Sequence, residues 1–185
     1  MLKSINILLF ALALFNMCVG FYSCTSDSAN YQYADNDTKN RNKENLEKVN
    51  KYLMLQEKQL INEYIGSRNI QFVETGTGLH YCIVNQGDGE LVKKGNIIAL
   101  DYEVRLLNGD MLYSSDTKGL KVFVVGHGGV ESGLEEAVLH LRKGDEAEII
   151  IPSHLAYGLL GDGDMIPPKA TIVYKVKVIE NQINS

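Results

Sequence analysis

Clustered positive charge is scarce in this 185-residue chain, which has 18 lysine and arginine residues against 23 aspartate and glutamate residues. The net charge is −5 at pH 7, and no basic cluster is visible along the sequence. Proteins that bind nucleic acid normally carry a clustered basic surface, so this composition argues against a nucleic-acid partner. The apolar share of 45% and the charged share of 22% are typical of one soluble globular domain with attachments.

Sequence patterns that hold a nucleotide or a metal are also lacking. The glycine-rich segment 126–129 has no Lys-Ser/Thr pair of a phosphate-binding P-loop, and a hairpin is enough to explain it. The histidines are scattered without metal-ligand spacing, and Asp162 with Asp164 is better explained as a solvated loop than as a calcium site. We therefore expect no cofactor and no metal.

Long apolar runs are absent, and the apolar stretch near the amino terminus is short. Lys3 precedes an apolar segment at 7–15, and less regular residues follow as far as Cys24. A membrane-spanning helix needs about 20 consecutive apolar residues, so a secretory signal over 1–23 is favoured. Ser23 before Cys24 resembles a lipoprotein processing site, which predicts a lipid on Cys24 and a protein anchored to a bacterial membrane in the cell envelope, facing the periplasm or the outside. The alternative is an ordinary thiol at Cys24 behind a plain membrane anchor or a cleaved leader.

Cysteine is rare, with three residues in all. If Cys18 leaves with the signal and Cys24 carries lipid, Cys82 is the one that remains. No intramolecular disulfide would then form, even in an oxidising compartment. Cys82 lies within a strand pattern and is predicted to be packed rather than reactive.

The segment between the signal and the first apolar pattern is polar. Residues 24–42 have almost no aliphatic side chain, which predicts a disordered tether. From 43 to 68 the pattern is that of an amphipathic helix, whose apolar stripe consists of Leu46, Val49, Leu53, Leu60 and Tyr64. The stripe must pack either on the domain that follows or, through residues 43–65, on the same helix of a second chain in a homodimer.

Beyond Gly66 the apolar period changes to two, which predicts half-buried β-strands. The alternation is short in a strand extension over 69–94 and clear at 98–106, where Asn108-Gly109 predicts a hairpin. Further strands are predicted at 122–125, 146–151 and 171–179. Ser132 and Glu135 match a capping box, which predicts one short helix. The expected fold over 95–182 is α+β, with a curved antiparallel sheet wrapped around that helix.

All three prolines lie within 151–170, IPSHLAYGLLGDGDMIPPKA, where they and the glycines predict a long shaped loop carrying Tyr157. With GDMLYSS at 109–115 and VESGLEEAV at 130–138, this segment resembles the FKBP-type peptidyl-prolyl cis/trans isomerases in order and spacing. The signal, tether, helix and the phrase ETGTGLHYCI at 74–83 are similar to the gliding-motility-associated isomerase lipoproteins of bacteria. The resemblance implies the same curved sheet around one helix.

The resemblance also implies a chemistry and a site. Rotation about a prolyl bond crosses a barrier of about 18 to 20 kcal/mol that arises from amide resonance, so an apolar pocket that strips water from the imide is catalytic without a cofactor. Catalytic roles are implied for Tyr157, whose hydroxyl would bind the ligand, and for Tyr102, while the backbone N–H of Glu131 would meet a ligand carbonyl. Without the resemblance, tyrosines in strands would be read as core, and Phe123 remains a candidate core residue. The matching groove positions are Tyr102, Leu112, Tyr113, Phe123, Val130, Glu131, Leu134, Tyr157, Ile166 and Tyr174.

Several of these positions depart from the family pattern. Tyr113 stands where the family has an aspartate, and Leu134 replaces the usual tryptophan of the pocket floor. Lys121 replaces an aromatic residue, and Glu131 replaces an aliphatic one. We expect a wider groove, less aromatic and more polar at its rim, with weak isomerase activity on proline-containing segments of exported proteins. The alternative is a catalytically degenerate chaperone or an assembly or secretion accessory lipoprotein.

Overall fold

The computed structural model describes the backbone of residues 28–183 and the side chains of residues 38–180. The signal, Cys24 and the start of the predicted tether therefore lie outside the described residues. In chain order the elements are α1 Ser28–Gly66, β1 Val73–Glu74, β2 His80–Asn85, β3 Asn96–Leu106, β4 Met111–Ser114, α2 Ser115–Lys118, β5 Lys121–Val124, α3 Ser132–Val138, β6 Glu146–Ile151, a 3-10 helix Ser153–Leu155, and β7 Ile172–Ile183. Among these elements, no helix is both long and apolar enough to cross a membrane.

Helix α1 begins earlier than its sequence pattern predicts. Residues 28–42 are helical rather than a disordered tether. No proline or glycine interrupts residues 28–65, so nothing breaks the backbone hydrogen bonding of the helix. Poor apolar content predicts a lack of packing, and the side chains of residues 38–52 are indeed exposed. The composition was therefore informative about burial and misleading about backbone conformation.

The chain forms two compact units, the second of which begins at Leu53, within α1. In this second unit, Ile61 is buried and packs with Ile150 and Val173 of the sheet. Tyr64 is half-buried beside them, whereas Leu60, which the predicted stripe includes, is exposed. The last turns of α1 therefore lie on their own domain, through Ile61 rather than Leu60. The exposed side chains nearer the start of the helix leave the predicted dimer untested.

Within the described residues, the strands form a seven-stranded antiparallel sheet in the order β1-β2-β6-β7-β3-β4, with β5 paired to β3. The long strand β3 pairs with β7 along its whole length, from Asn96 opposite Ile183 to Leu106 opposite Ile172. Helix α3 packs on one face of this sheet and contributes fully buried Leu134 to the core. The predicted α+β architecture is confirmed, including the strands at 98–106, 122–125, 146–151 and 171–179.

Two local predictions have opposite outcomes. The Asn108-Gly109 hairpin is confirmed, because the Gly109 N–H donates to the Leu106 carbonyl at 2.9 Å. The capping box is wrong, because Ser132 Oγ donates to a loop carbonyl and residue 131 precedes α3 without a side-chain cap. Glu135 instead accepts the N–H groups of Gly126 and Gly128 at 2.5 and 3.0 Å. The backbone N–H groups of the glycine-rich turn thus bind the carboxylate that the capping box would have used.

Helix α3 approaches the sheet closely because Gly133 has no side chain. A Cβ atom there would lie 2.3 Å from Cγ2 of Ile151 and 3.2 Å from the carbonyl of Leu155. Both residues border the start of the long loop. Because Gly133 has no side chain, the helix can pack closely against β6 and the loop at this point. Elsewhere on the sheet, Cys82 is half-buried on β2, and burial raises the pKa of its thiol.

Candidate active site

The predicted groove residues come from six parts of the fold and meet in one cluster. Strand β3 supplies Tyr102, β5 supplies Phe123 and β7 supplies Tyr174, while the others come from β4, the start of α3 and the loop after β6. Nine apolar or aromatic candidates belong to this cluster: Tyr102, Leu112, Tyr113, Phe123, Val130, Leu134, Tyr157, Ile166 and Tyr174. The structure therefore brings together the side chains that the family resemblance selects.

The cluster has a deeply buried floor and a half-buried border. Leu134 and Tyr174 are 0% and 1% exposed, and Tyr102 and Phe123 are each 8% exposed. The rings of Tyr102 and Tyr174 are tilted by 44° with centroids 6.1 Å apart, within the distance range of interacting aromatic pairs. Tyr157 and three other residues form the half-buried border. This surface excludes water and carries aromatic rings, as the desolvation of a prolyl imide requires.

Glu131 lies inside this cluster and not at its rim. The residue is only 7% exposed. Its Oε1 accepts the hydroxyl of Tyr157 at 2.5 Å and the hydroxyl of Tyr174 at 2.7 Å. The expectation of a polar rim is therefore wrong for this residue, because the buried phenols supply the hydrogen bonds that a carboxylate loses when it leaves water.

Lys121 neutralises the buried carboxylate. Its Nζ lies 3.4 Å from Oε2 of Glu131 and donates to the hydroxyl of Tyr174 at 2.9 Å. The same ammonium lies 5.4 Å from the ring centroids of Tyr102 and Tyr174, close enough for cation–π attraction. The side chain of Lys121 keeps 22% exposure, whereas that of Glu131 keeps 3%. The floor of the site thus holds an ion pair bracketed by two tyrosines.

The electrostatics of this network favour one protonation state. Burial alone would raise the pKa of Glu131, but the charge of Lys121 and the hydrogen bonds lower it below its ordinary value. The backbone N–H of Glu131 contributes to this lowering, since it also faces the carboxylate. Burial is the main cause that raises the pKa values of Tyr157 and Tyr174, and the hydrogen bond to Glu131 and its charge raise both further. At neutral pH the carboxylate is therefore charged, and both phenols donate to it.

Tyr113 makes a second phenol–carboxylate contact at the edge of the site. Its hydroxyl donates to Oδ2 of Asp162 at 2.5 Å and lies 3.3 Å from a carboxylate oxygen of Asp164. The bond to Asp162, with burial, raises the pKa of Tyr113 to about 12. The backbone N–H of Met165 donates to the same phenol at 3.4 Å. Tyr113, which stands where the family has an aspartate, is therefore tied to the loop through a carboxylate of the loop itself.

The loop between β6 and β7 is held by its own backbone. The Gly158 N–H donates to the Ser153 carbonyl at 2.8 Å, and the Lys169 N–H donates to the Gly158 carbonyl at 2.8 Å. Asp162 accepts the N–H of Ile166 at 2.8 Å. A Cβ atom at Gly161 would lie 2.1 Å from the Ile166 carbonyl, so this turn requires glycine. These contacts fix the positions from which Tyr157 and Ile166 enter the cluster.

Comparison with known proteins identifies the family. A family model described as FKBP-type peptidyl-prolyl cis-trans isomerase matches residues 89–179. The FK506-binding protein 1A of Emericella nidulans is 34% identical over 56% of this chain and 97% of its own length. The chain belongs to the FKBP-type peptidyl-prolyl cis-trans isomerase family.

Bacterial relatives extend this FKBP-type likeness. The probable FKBP-type peptidyl-prolyl cis-trans isomerase FkpA of Neisseria meningitidis is 41% identical over 57% of this chain and 39% of its own length. The crystal structure of FkpA from Escherichia coli matches with a TM-score of 0.63 at 25% identity, over 95% of this chain and 82% of that one. The match to the Neisseria protein therefore spans about two fifths of that relative's length.

Sequence reasoning missed the pairing of Lys121 with Glu131 in this FKBP-type site. Both residues stood out as separate departures from the family pattern, and neither was placed with the other. A signal was present, because Lys121 and Phe123 are two residues apart on β5 and therefore share a face of the sheet. Two opposite charges at groove positions were a further sign that each has a partner.

Proposed function

We propose that this protein is a peptidyl-prolyl cis/trans isomerase that acts on proline-containing segments of exported proteins. The observation that carries the proposal is the single buried cluster containing Tyr102, Phe123, Ile166 and Tyr174, with Tyr157 at its border. A twisted imide has less charge separation than a planar one, so a water-poor aromatic surface favours the transition state over the ground state. The reaction needs neither a nucleophile nor a cofactor, because no covalent bond is broken.

The activity is expected to be weak, because the carboxylate of Glu131 occupies the groups that should hold the substrate. The hydroxyl of Tyr157 and the backbone N–H of Glu131 are the two donors implied for the ligand. The Tyr157 hydroxyl donates to this carboxylate, and the backbone N–H contributes to lowering its pKa. A substrate carbonyl must therefore exchange with a charged acceptor, and a neutral carbonyl is the weaker partner for a donor. Binding energy is lost in this exchange, while desolvation of the imide by the aromatic floor is retained.

The test is a protease-free isomerisation assay on an Xaa-Pro peptide, with the chain lacking residues 1–23. We expect acceleration by the wild-type protein and a slower rate for Tyr157→Phe, whose far-ultraviolet circular dichroism should match that of the wild type. A folded wild-type protein without any acceleration would refute the proposal.

A second candidate function is binding without catalysis, as a chaperone or as an accessory protein in assembly or secretion. The occupied hydroxyl of Tyr157 favours it, because a site that satisfies its own hydrogen bonds is poorly prepared for turnover. A secretion or surface phenotype that survives Tyr157→Phe but not deletion of the gene would support this candidate. Loss of the phenotype in both strains would support the isomerase.

We also propose that the protein is lipid-anchored in the bacterial cell envelope. The short apolar segment at 7–15 and the Ser23-Cys24 pair support this proposal. Labelling with a radioactive fatty acid should mark the wild-type protein and leave Cys24→Ala unlabelled, with the variant moving to the soluble fraction. Cys82→Ala is the matched control and should label normally. An unlabelled wild-type protein would contradict the anchor.

A homodimer through α1 is the remaining proposal about partners. Leu46 and Val49, which lie three residues apart and so on one face of the helix, are 63% and 53% exposed. Sedimentation equilibrium should give a dimer for the wild type and a monomer after Leu46→Ser and Val49→Ser are combined. A wild-type monomer at all concentrations would exclude the dimer.

A further inference from the structure

Glu57 of α1 joins the two ends of the long loop. Its Oε1 accepts the backbone N–H of Ser153 at 2.6 Å and the hydroxyl of Thr171 at 2.7 Å. Ser153 lies two residues after the end of β6, and Thr171 is the residue before β7. One carboxylate oxygen therefore holds both the entrance and the exit of the segment that carries Tyr157.

The Ser153 end of this contact leads directly to Tyr157. The Ser153 carbonyl accepts the N–H of Ala156 at 3.1 Å and the N–H of Gly158 at 2.8 Å. The turn that contains Tyr157 is therefore built on the peptide unit next to the one that Glu57 holds. A shift of Ser153 would move the turn and, with it, the phenol that contacts Glu131.

Packing next to Glu57 makes the contact rigid. Ile61, one helical turn further along, is 3% exposed and packs with Ile150 and Val173. Ile150 and Val173 pair with each other one position inside the strand ends, where Ile151 and Ile172 are paired. Residues four apart on a helix share a face, so Glu57 and Ile61 approach the loop ends together. The helix thus supplies an apolar contact behind the loop and a polar contact at its base.

We infer that Glu57 is a positioning residue for the active site. It acts through Ser153 and Thr171, since the carboxylate holds the loop that places Tyr157. The inference rests on the proposed isomerase function for its effect on rate, whereas its effect on the loop is measurable without catalysis. The inference gives α1 a role in positioning Tyr157, which the groove residues alone do not suggest.

The test compares three variants of the chain lacking residues 1–23. Glu57→Leu removes the acceptor, and Glu57→Gln keeps a side-chain oxygen that accepts both bonds. Glu63→Leu is the matched control, because Glu63 is an exposed residue of the same helix whose carboxylate contacts Gln59. Each variant is assayed for kcat/KM on an Xaa-Pro peptide and for amide hydrogen exchange in residues 153–158 and in β3.

We expect Glu57→Leu to lower kcat/KM about threefold to tenfold through misplacement of the loop, with Glu57→Gln and Glu63→Leu within about twofold of the wild type. Exchange at 153–158 should rise in Glu57→Leu alone, while exchange in β3 stays unchanged. Wild-type loop exchange in Glu57→Leu, an equal rise in β3, or no rescue by Glu57→Gln would each overturn the inference. If the wild-type chain shows no isomerase activity, the proposed function fails, and loop exchange alone decides the role of Glu57.

Discussion

The site contains two phenol–carboxylate contacts of the same length in different surroundings. Tyr157 meets Glu131 in the floor of the groove, and Tyr113 meets Asp162 at its edge, each at 2.5 Å. Glu131 is buried and has Lys121 beside it, whereas Asp162 is half-buried and stabilised by backbone N–H groups of its own turn. At the inner contact, Tyr157–Glu131, the carboxylate therefore has a charged partner. At the outer contact, Tyr113–Asp162, it has backbone donors instead.

The comparison shows how burial decides what such a contact does. A carboxylate in the floor of the groove needs a counter-ion, so Lys121 stands where a smaller or aromatic side chain would otherwise complete the pocket. A carboxylate at the edge is satisfied by nearby N–H groups and water, and its role is to fix a loop. Under the proposed function, the inner contact would govern access to the donors for the substrate, and the outer one shapes the border of the cluster.

The largest effect is expected when the inner contact loses its cation. Lys121→Met leaves the charge of Glu131 uncompensated, and we expect a loss of about 3 kcal/mol in the free energy of unfolding, at the lower end of the range for broken buried pairs because Lys121 is partly exposed. Urea denaturation measures this loss. The double variant Lys121→Met/Glu131→Leu should recover most of it. A single variant as stable as the wild type would show that the pair is not coupled.

Opening the inner contact should increase activity. In Glu131→Val, the Tyr157 hydroxyl and the backbone N–H of residue 131 are free to bind a substrate carbonyl. We expect kcat/KM on an Xaa-Pro peptide to rise about fivefold, the equivalent of one net hydrogen bond of about 1 kcal/mol. Glu131→Gln, which keeps an acceptor in the same place, should change the rate much less. A slower Glu131→Val that is as stable as the wild type would contradict the proposed competition.

Much of the fold was predictable because strands of this domain have one buried face. The alternation at 98–106 placed β3, Asn108-Gly109 placed the hairpin, and the prolines placed the loop. Local patterns failed where a distant partner decides the outcome. Glu135 bonds the turn at 126–129 instead of capping α3, and the start of α1 follows from the absence of helix breakers rather than from composition.

The candidate site shows the same difference between features that local sequence predicts and features that depend on packing. The family resemblance selected the aromatic residues, and the structure gathers them in one cluster. The resemblance carries no information on Lys121 and Glu131, because the family pattern has other residue types at both positions. Their pairing depends on how β5 lies against the start of α3, which the residue types alone do not show. Glu57 was missed for the same reason, since its partners Ser153 and Thr171 are about a hundred residues away along the chain.

A pH titration of stability separates the inner contact from the rest of the molecule. The pKa of Glu131 in the folded protein lies below its ordinary value of 4.5. Its stabilising contribution is therefore complete above about pH 4.5 and is lost as the pH falls through the folded value. We expect the difference in unfolding free energy between the wild type and Glu131→Gln to shrink over that range in urea denaturation. A difference that stays constant from pH 7 to pH 3 would show that the folded carboxyl is not charged.

The smallest effect is expected at the outer contact. Tyr113→Phe removes a hydrogen bond between half-buried groups, and Asp162 keeps its backbone donors, so the free energy of unfolding should fall by only about 0.5 to 1 kcal/mol. Tyr174→Phe is the matched change beside the inner contact, at the other phenol that donates to Glu131, and it should cost more because Glu131 loses a buried donor and Lys121 an acceptor. Both variants are compared by urea denaturation at pH 7. Equal losses would mean that burial does not distinguish the two contacts, and a larger loss for Tyr113→Phe would assign the loop edge the dominant role in stability.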